Sequence, residues 1–350
     1  MHSLRISRPV LTSVARGFSA SKGAFASLHN SDETIGFIGL GHMGSKMVAN
    51  MVRDGKKLLV FDNSTDAVSR VVNADGNKGK VAAVKAVGDI GSQCSVVFSM
   101  LPNDKAVNAV SESLLSGRGT NKNSSFVHIS CSTISPVTSR SLAKQYNTLG
   151  PDVSFIASPV FARPDGISKR QATWMIAGDE KGRKIASELL HSSGNCVDYG
   201  NDTGASNVVK LCGNFLIASS IESISEAMAL SEKHGVDRQE VMKMLSSSIF
   251  DCLIYKGYGQ RVSERDHRPG GFSLELGLKD CTLVKQAATE VDVPMPFLSV
   301  LLDRYTSAKA KGRKDFDWSA IGLSVAEDAG IDVSKDVART EKDIKEGNLY

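Results

Sequence analysis

The chain has 350 residues, 41% of them hydrophobic and 23% charged, with a formal net charge of +4. These values exclude a chain disordered over most of its length and fit a globular protein of about two domains, while no uninterrupted apolar run approaches the ~20 residues that a membrane span needs. The basic excess falls in the first thirty-one residues, where Arg5, Arg8, Arg16 and Lys22 meet no acid. The remainder balances 38 basic against 38 acidic residues, so it has no overall pull towards nucleic acid or an anionic membrane.

Residues 1–31 are rich in Arg, Ser and small apolar residues, and arginines interrupt the apolar positions where a secretory signal would have a continuous apolar run. That is the composition of a mitochondrial transit peptide. Arg16-Gly17-Phe18-Ser19 resembles the processing sites of matrix proteins, so the expected location is the mitochondrial matrix. Strands are predicted over 35–38, 58–61, 96–100 and 126–129, alternating with helices over 44–53, 66–73, 104–114 and 136–147, as in a βαβ series with a parallel sheet. Polar loops are expected at 73–79 and 116–125.

Two more strands, 153–157 and 173–177, precede a change to nearly continuous helix. One helix of about eight turns covers 204–234, contains no Pro and stops at Gly235. Others follow over 237–246, 273–291 and 297–311, with Pro294 and Pro296 closing the second of them. The tail, 327–350, is charged and is read as a peripheral helix or a frayed end. Cys94, Cys131, Cys196, Cys212, Cys252 and Cys281 are scattered, with no C-x-x-C pair and no clustered His, so neither a metal site nor a disulfide framework is expected.

The first strand runs into Gly39-Leu40-Gly41-His42-Met43-Gly44, a G-x-G-x-x-G between strand and helix. In that setting Gly39 allows the tight turn, Gly41 lets backbone approach a pyrophosphate, and Gly44 allows close helix–strand packing. Asp62, about twenty residues on at the end of the second strand, suits the adenosine ribose. Its charge would repel a 2′-phosphate and Asn63-Ser64-Thr65 provide no Arg, which favours NAD; Lys56, Lys57 and Arg70 keep NADP open. The fold class is therefore α/β: a Rossmann-type doubly wound sheet over 32–200, then an all-α domain over 201–326 with one long central helix.

On that helix Lys210 and Asn214 stand at i and i+4, on one face. Their flanking sequence is mostly apolar or small, so burial could desolvate the Lys210 ammonium and lower its pKa into a range useful for proton transfer.

Several short motifs occur in one order: the glycine string, Met100-Leu101-Pro102, Ser132-Thr133-Ile134-Ser135-Pro136, Gly204-x5-Lys210-x3-Asn214, Glu226-Ala227, Lys279-Asp280 and Asp315-Phe316-Asp317-Trp318. The ordered set, spanning 34–323, resembles the β-hydroxyacid dehydrogenase family, particularly the 3-hydroxyisobutyrate dehydrogenases. The resemblance implies hydride transfer between a small β-hydroxyacid and NAD(P), with Lys210 as general acid/base. It places Leu101 and Pro102 beside the cofactor, Ser132 and Thr133 near substrate and nicotinamide, and Asn214 and Lys279 as holders of substrate and cofactor. It also implies a homo-oligomer, a dimer or tetramer.

One segment departs from that pattern. The Ser-Gly-Gly that grasps the substrate carboxylate in such enzymes is absent, and the chain reads Ser158-Pro159-Val160-Phe161-Ala162-Arg163-Pro164-Asp165-Gly166. Phe161 adds apolar bulk, and Arg163 offers a forked donor suited to a carboxylate. Three rival readings remain. A 6-phosphogluconate dehydrogenase would be a longer chain with His where Gly213 stands. An imine or other carbonyl reductase would fit Phe161 but would usually lack Lys210. A non-catalytic nucleotide-binding module would usually lose that Lys and gain basic or partner-binding extensions.

Overall fold

The computed structural model describes residues 33–119 and 125–349. The expected transit peptide, and residues 120–124 of the expected polar loop, lie outside the described residues. The first part of the chain alternates β1 (Ile35–Ile38), α1 (His42–Arg53), β2 (Leu58–Phe61), α2 (Thr65–Val72), β3 (Val81–Ala83), α3 (Val87–Gln93), β4 (Val96–Ser99), α4 (Asp104–Arg118), β5 (Phe126–Ser130), α5 (Pro136–Asn147) and β6 (Val153–Ala157). The six strands form one parallel sheet in the order β3-β2-β1-β4-β5-β6.

Both faces of this sheet are covered, as parallel strands made of continuous apolar runs require. Phe37, Val60 and Phe98 pack on one side with Met47, Val48 and Met51 of α1. Ile38 and Val97, one residue out of phase, pack on the other with Ile90, Val107 and Leu114. Side chains of Ser64, Asn103 and Ser135 each accept a backbone N–H of the following first turn, which fixes where α2, α4 and α5 begin. β3 and α3 gave no sequence signal because one is three residues long and the other holds two glycines. The order of strands reverses between β1 and β4, and a ligand crevice opens at the carboxyl ends of strands at such a switch point.

A second, small sheet follows. β7 (Val160–Phe161), α6 (Pro164–Ser168), β8 (Ala172–Ile176), α7 (Glu180–Leu190) and β9 (Gly194–Asp198) precede the helical region. β7 runs antiparallel and β9 parallel to β8, and a bridge between Ala157 and Ala177 joins this sheet to the large one. The sequence reading passed directly from 173–177 to helix and missed α7 and β9.

From Thr203 onward the chain is helical: α8 (Thr203–Lys233), α9 (Arg238–Ser246), α10 (Leu253–Glu264), α11 (Leu274–Thr289), α12 (Pro296–Ala310), α13 (Ile321–Asp328) and α14 (Ser334–Glu346). α8 is the spine, packed against α5 of the first domain and against α10, α11 and α13. It is long and apolar enough to pass for a membrane span by length and composition. Here its apolar residues form the centre of the helical domain, and it buries Lys210, Asn214 and Glu222, the last paired with Arg304 at 2.7 Å. α10 was not expected; its two glycines break the apolar period. The charged tail forms α14, which packs Val337 and Ile344 on the helical core and donates from Arg339 to the Arg265 carbonyl at 2.7 Å.

Candidate active site

A cleft of about 1580 Å³ runs from the β1–α1 and β2–α2 turns across to α8, α10 and α11. At its first end Gly39 adopts φ +94°, and a Cβ there would lie 2.2 Å from the Met100 carbonyl oxygen. A Cβ on Gly44 would lie 1.9 Å from the Gly39 oxygen, whereas one on Gly41 would meet nothing within 4 Å. Gly41 is the N-cap of α1, no side chain caps that helix, and its first turn holds no acid. The backbone therefore leaves an open cradle at a helix N-terminus, which fits the pyrophosphate of a dinucleotide.

Gly39, Gly41, His42, Met43 and Gly44 all line the cleft, as do Asp62, Leu101, Pro102 and Thr133. Leu40 does not. Its side chain is buried in the core and its N–H donates to Asp62 Oδ2 at 2.7 Å, so it braces the turn against β2. Asp62 also accepts the Ser64 N–H at 2.7 Å, which fixes its carboxylate at this end of the cleft. None of Lys56, Lys57 and Arg70 lines the cleft. Lys85 does, because β2 and β3 pair Val60 with Ala83 and the residues two steps beyond each pair are Asp62 and Lys85. Its place on the cleft follows from that register and was not legible in sequence.

Ser132, expected near the substrate, is not among the residues that line the cleft. It is buried, and its Oγ accepts the Leu101 N–H at 2.8 Å, so it holds the Leu101-Pro102 loop from behind, outside the cleft. Thr133 lines it, and its carbonyl accepts a hydrogen bond from Lys279 Nζ at 2.8 Å. Lys279 also pairs with Asp280 at 2.9 Å. α11 is thereby tied to the first domain across the cleft.

Lys210 is buried on α8, and burial pushes its pKa down from 10.5 to about 8; Asp280 opposes that shift and Lys279 adds to it. Its Nζ stands over the Phe161 ring, 4.2 Å from the centroid. Asn214, one turn on, lines the cleft and donates its Nδ2 to Asp280. Asp280 therefore organises Asn214, Lys279 and the field at Lys210. Only its place in the Lys279-Asp280 dipeptide signalled it.

Arg163 lines the cleft, but as a braced group. Its guanidinium lies 3.6 Å from the buried Asp317 carboxylate, over the Tyr258 ring at 5.8 Å, and against Gly271, where a Cβ would come 2.1 Å from Nη2. Arg261 shares Asp317 at 3.5 Å, and Asp317 also accepts from the Ser319 hydroxyl at 2.7 Å. The sequence showed Asp317 within a motif without revealing that two arginines converge on it. Among the described residues no group of three His, Cys, Asp or Glu could hold a metal.

The sequence family described as the NAD binding domain of 6-phosphogluconate dehydrogenase matches residues 34–200, and that described as the NAD-binding domain of NADP-dependent 3-hydroxyisobutyrate dehydrogenase matches residues 204–325. The chain is 31% identical to the mitochondrial 3-hydroxyisobutyrate dehydrogenase of Drosophila melanogaster over 332 residues, 91% of this chain and 96% of that one. It is also 31% identical to an uncharacterised oxidoreductase of Bacillus subtilis, over 82% of this chain and 98% of that one. Among solved structures, the Mycobacterium tuberculosis 3-hydroxyisobutyrate dehydrogenase with L-serine superposes with a TM-score of 0.73 at 25% identity, covering 84% of this chain and 99% of that one.

Proposed function

The chain belongs to the β-hydroxyacid dehydrogenase family of NAD(P)-dependent oxidoreductases, and from that premise we propose that it oxidises a small β-hydroxyacid, resembling 3-hydroxyisobutyrate, with Lys210 as general acid/base. The observation that carries this reading is Lys210 itself: a buried lysine in the shared cleft whose pKa is lowered to about 8. A group titrating near the working pH can hold a proton in one direction of reaction and release it in the other.

In oxidation the Lys210 amine takes the proton of the substrate hydroxyl; in reduction the Lys210 ammonium returns it to the carbonyl oxygen. A nicotinamide held by the Gly41 cradle, Asp62 and the Leu101-Pro102 loop would accept or supply the hydride. Asn214 and Lys279, both set by Asp280, orient the substrate beside Lys210 and Thr133. The exposed face of Arg163 anchors the substrate carboxylate, its orientation fixed by Asp317 and Tyr258. Asp62 disfavours a 2′-phosphate and favours NAD. The leader over 1–31 supports a mitochondrial matrix location, testable by fusing it to a fluorescent reporter.

The test is a panel of β-hydroxyacids with NAD and NADP, run beside ketones and imines with the reduced cofactors, on wild type and Lys210→Ala. Hydroxyacid turnover that Lys210→Ala reduces by roughly 10²-fold or more, with cofactor affinity retained, supports the reading. Faster imine reduction would make the chain a reductase of the same fold, and cofactor binding without turnover would make it a nucleotide-binding module.

A further inference from the structure

Phe161 meets Lys210 through an arrangement that depends on three elements. β7 is two residues long and is pinned to β8 by the pairs Val160–Trp174 and Phe161–Thr173, so the Phe161 backbone is fixed. The ring then crosses to α8 and lies against Gly213, where a Cβ would come 2.2 Å from ring Cζ. Lys210 stands three residues earlier on the same helix face and places Nζ over the ring at 4.2 Å from the centroid. Among the described residues Lys210 makes no ion pair, and the nearby acid, Asp280, is engaged by Lys279 and Asn214. The negative face of an aromatic ring attracts a cation, most strongly where water is excluded.

We propose that Phe161 is a positioning residue that holds the Lys210 side chain against α8 and stabilises its ammonium form through the ring face. The proposal rests on the reading of Lys210 as the acid/base group. Gly213 serves it by making room for the ring. The groups that face Lys210 are Asp280 and Lys279 from α11, the neutral Asn214 from α8, and Phe161 from β7. Burial and Lys279 favour the free amine, while Asp280 and the ring favour the ammonium. Removal of the ring's attraction should therefore move the titration of Lys210 down, by roughly 0.4 pH units for an exposed contact and about 1.5 for a desolvated one.

Fluorine withdraws charge from a ring face with little change in ring size, so the test replaces Phe161 in steps, with fluorines kept off the Cζ that abuts Gly213: Phe161→monofluoro-, Phe161→difluoro- and Phe161→trifluorophenylalanine, with Phe161→Leu as an ordinary variant. Two quantities are followed against pH. One is kcat/KM for carbonyl reduction in the complete enzyme. The other is the acylation of Lys210 by an amine-reactive anhydride in protein without cofactor or substrate, quantified by peptide mass spectrometry. The expected result is a midpoint that falls with each added fluorine and drops in Phe161→Leu. A midpoint constant across the fluorinated series overturns the proposal. Failure of the underlying reading is separate: turnover surviving in Lys210→Ala would remove Lys210 from the chemistry, whereas the acylation midpoints are read without catalysis.

Discussion

The three glycines of the β1–α1 turn should respond to alanine in three different ways, and Gly41→Ala separates cofactor binding from folding. At Gly41 the backbone has φ −65°, which any residue adopts, and the new methyl would meet nothing within 4 Å. The loss of a good N-cap costs about 0.5–1.5 kcal/mol, and the reduced freedom of the unfolded chain returns about 0.4–1 kcal/mol, so stability should stay within about 1 kcal/mol of wild type. The methyl would, however, stand in the open cradle at the head of α1. Dissociation constants for NAD and NADP should rise by about tenfold or more, equivalent to about 1.4 kcal/mol. Gly44→Ala behaves otherwise. Its Cβ would be 1.9 Å from the Gly39 oxygen, so α1 must move away from the turn by more than an ångström, at an overpacking cost of about 1–3 kcal/mol. Gly39→Ala adds strain at φ +94° to a 2.2 Å collision with the Met100 oxygen. Thermal unfolding without cofactor and calorimetric titration with NAD give the two quantities for each variant. Wild-type NAD affinity in Gly41→Ala would show that the pyrophosphate does not pass this residue.

Other consequences follow from the charges of the cleft. With Lys210 titrating at about 8, kcat/KM for hydroxyacid oxidation should rise with pH through that value and kcat/KM for reduction should fall; a flat profile in both directions would count against Lys210. Wild type should use NAD more efficiently than NADP, and Asp62→Ala should narrow the ratio mainly by improving NADP, because the carboxylate is lost while Lys85 still lines the cleft; an unchanged ratio of kcat/KM values would refute this. Arg163→Ala should raise KM for a hydroxyacid about tenfold, with a smaller fall in turnover, and abolish the preference for the acid over its methyl ester; an unchanged acid-to-ester ratio would put the anchor elsewhere. His128 is buried between Ser99 Oγ at 2.8 Å and Tyr146 Oη at 2.9 Å, and burial holds its pKa down at about 3. The unfolded chain therefore binds a proton below about pH 6.5 that the folded one refuses, so stability falls as pH drops from 6.5 towards 3, by up to about 1.4 kcal/mol per pH unit. His128→Gln should flatten that acid limb in urea titrations, and an unaltered slope would mean that His128 does not cause it.

What could be read from the sequence was what chemistry places close together along the chain. The glycine turn is local, since its requirements fall within Gly39–Gly44 and a carboxylate one strand away. Lys210 and Asn214 share a face because one helical turn separates them. The partners that define what those groups do are distant: Asp280 reaches Asn214 from α11, Arg163 and Arg261 converge on Asp317, and the Ser132 hydroxyl accepts the Leu101 amide. β7 has only two residues, too few for any period to register, yet it positions Phe161. Gly213 shows the limit most clearly. Within α8 a glycine costs about 1 kcal/mol against alanine, and nothing in its neighbours along the helix offsets that. The ring that needs the space comes from β7, and the same ring lies under Lys210, so a residue unfavourable for its own helix leaves the room through which β7 reaches Lys210.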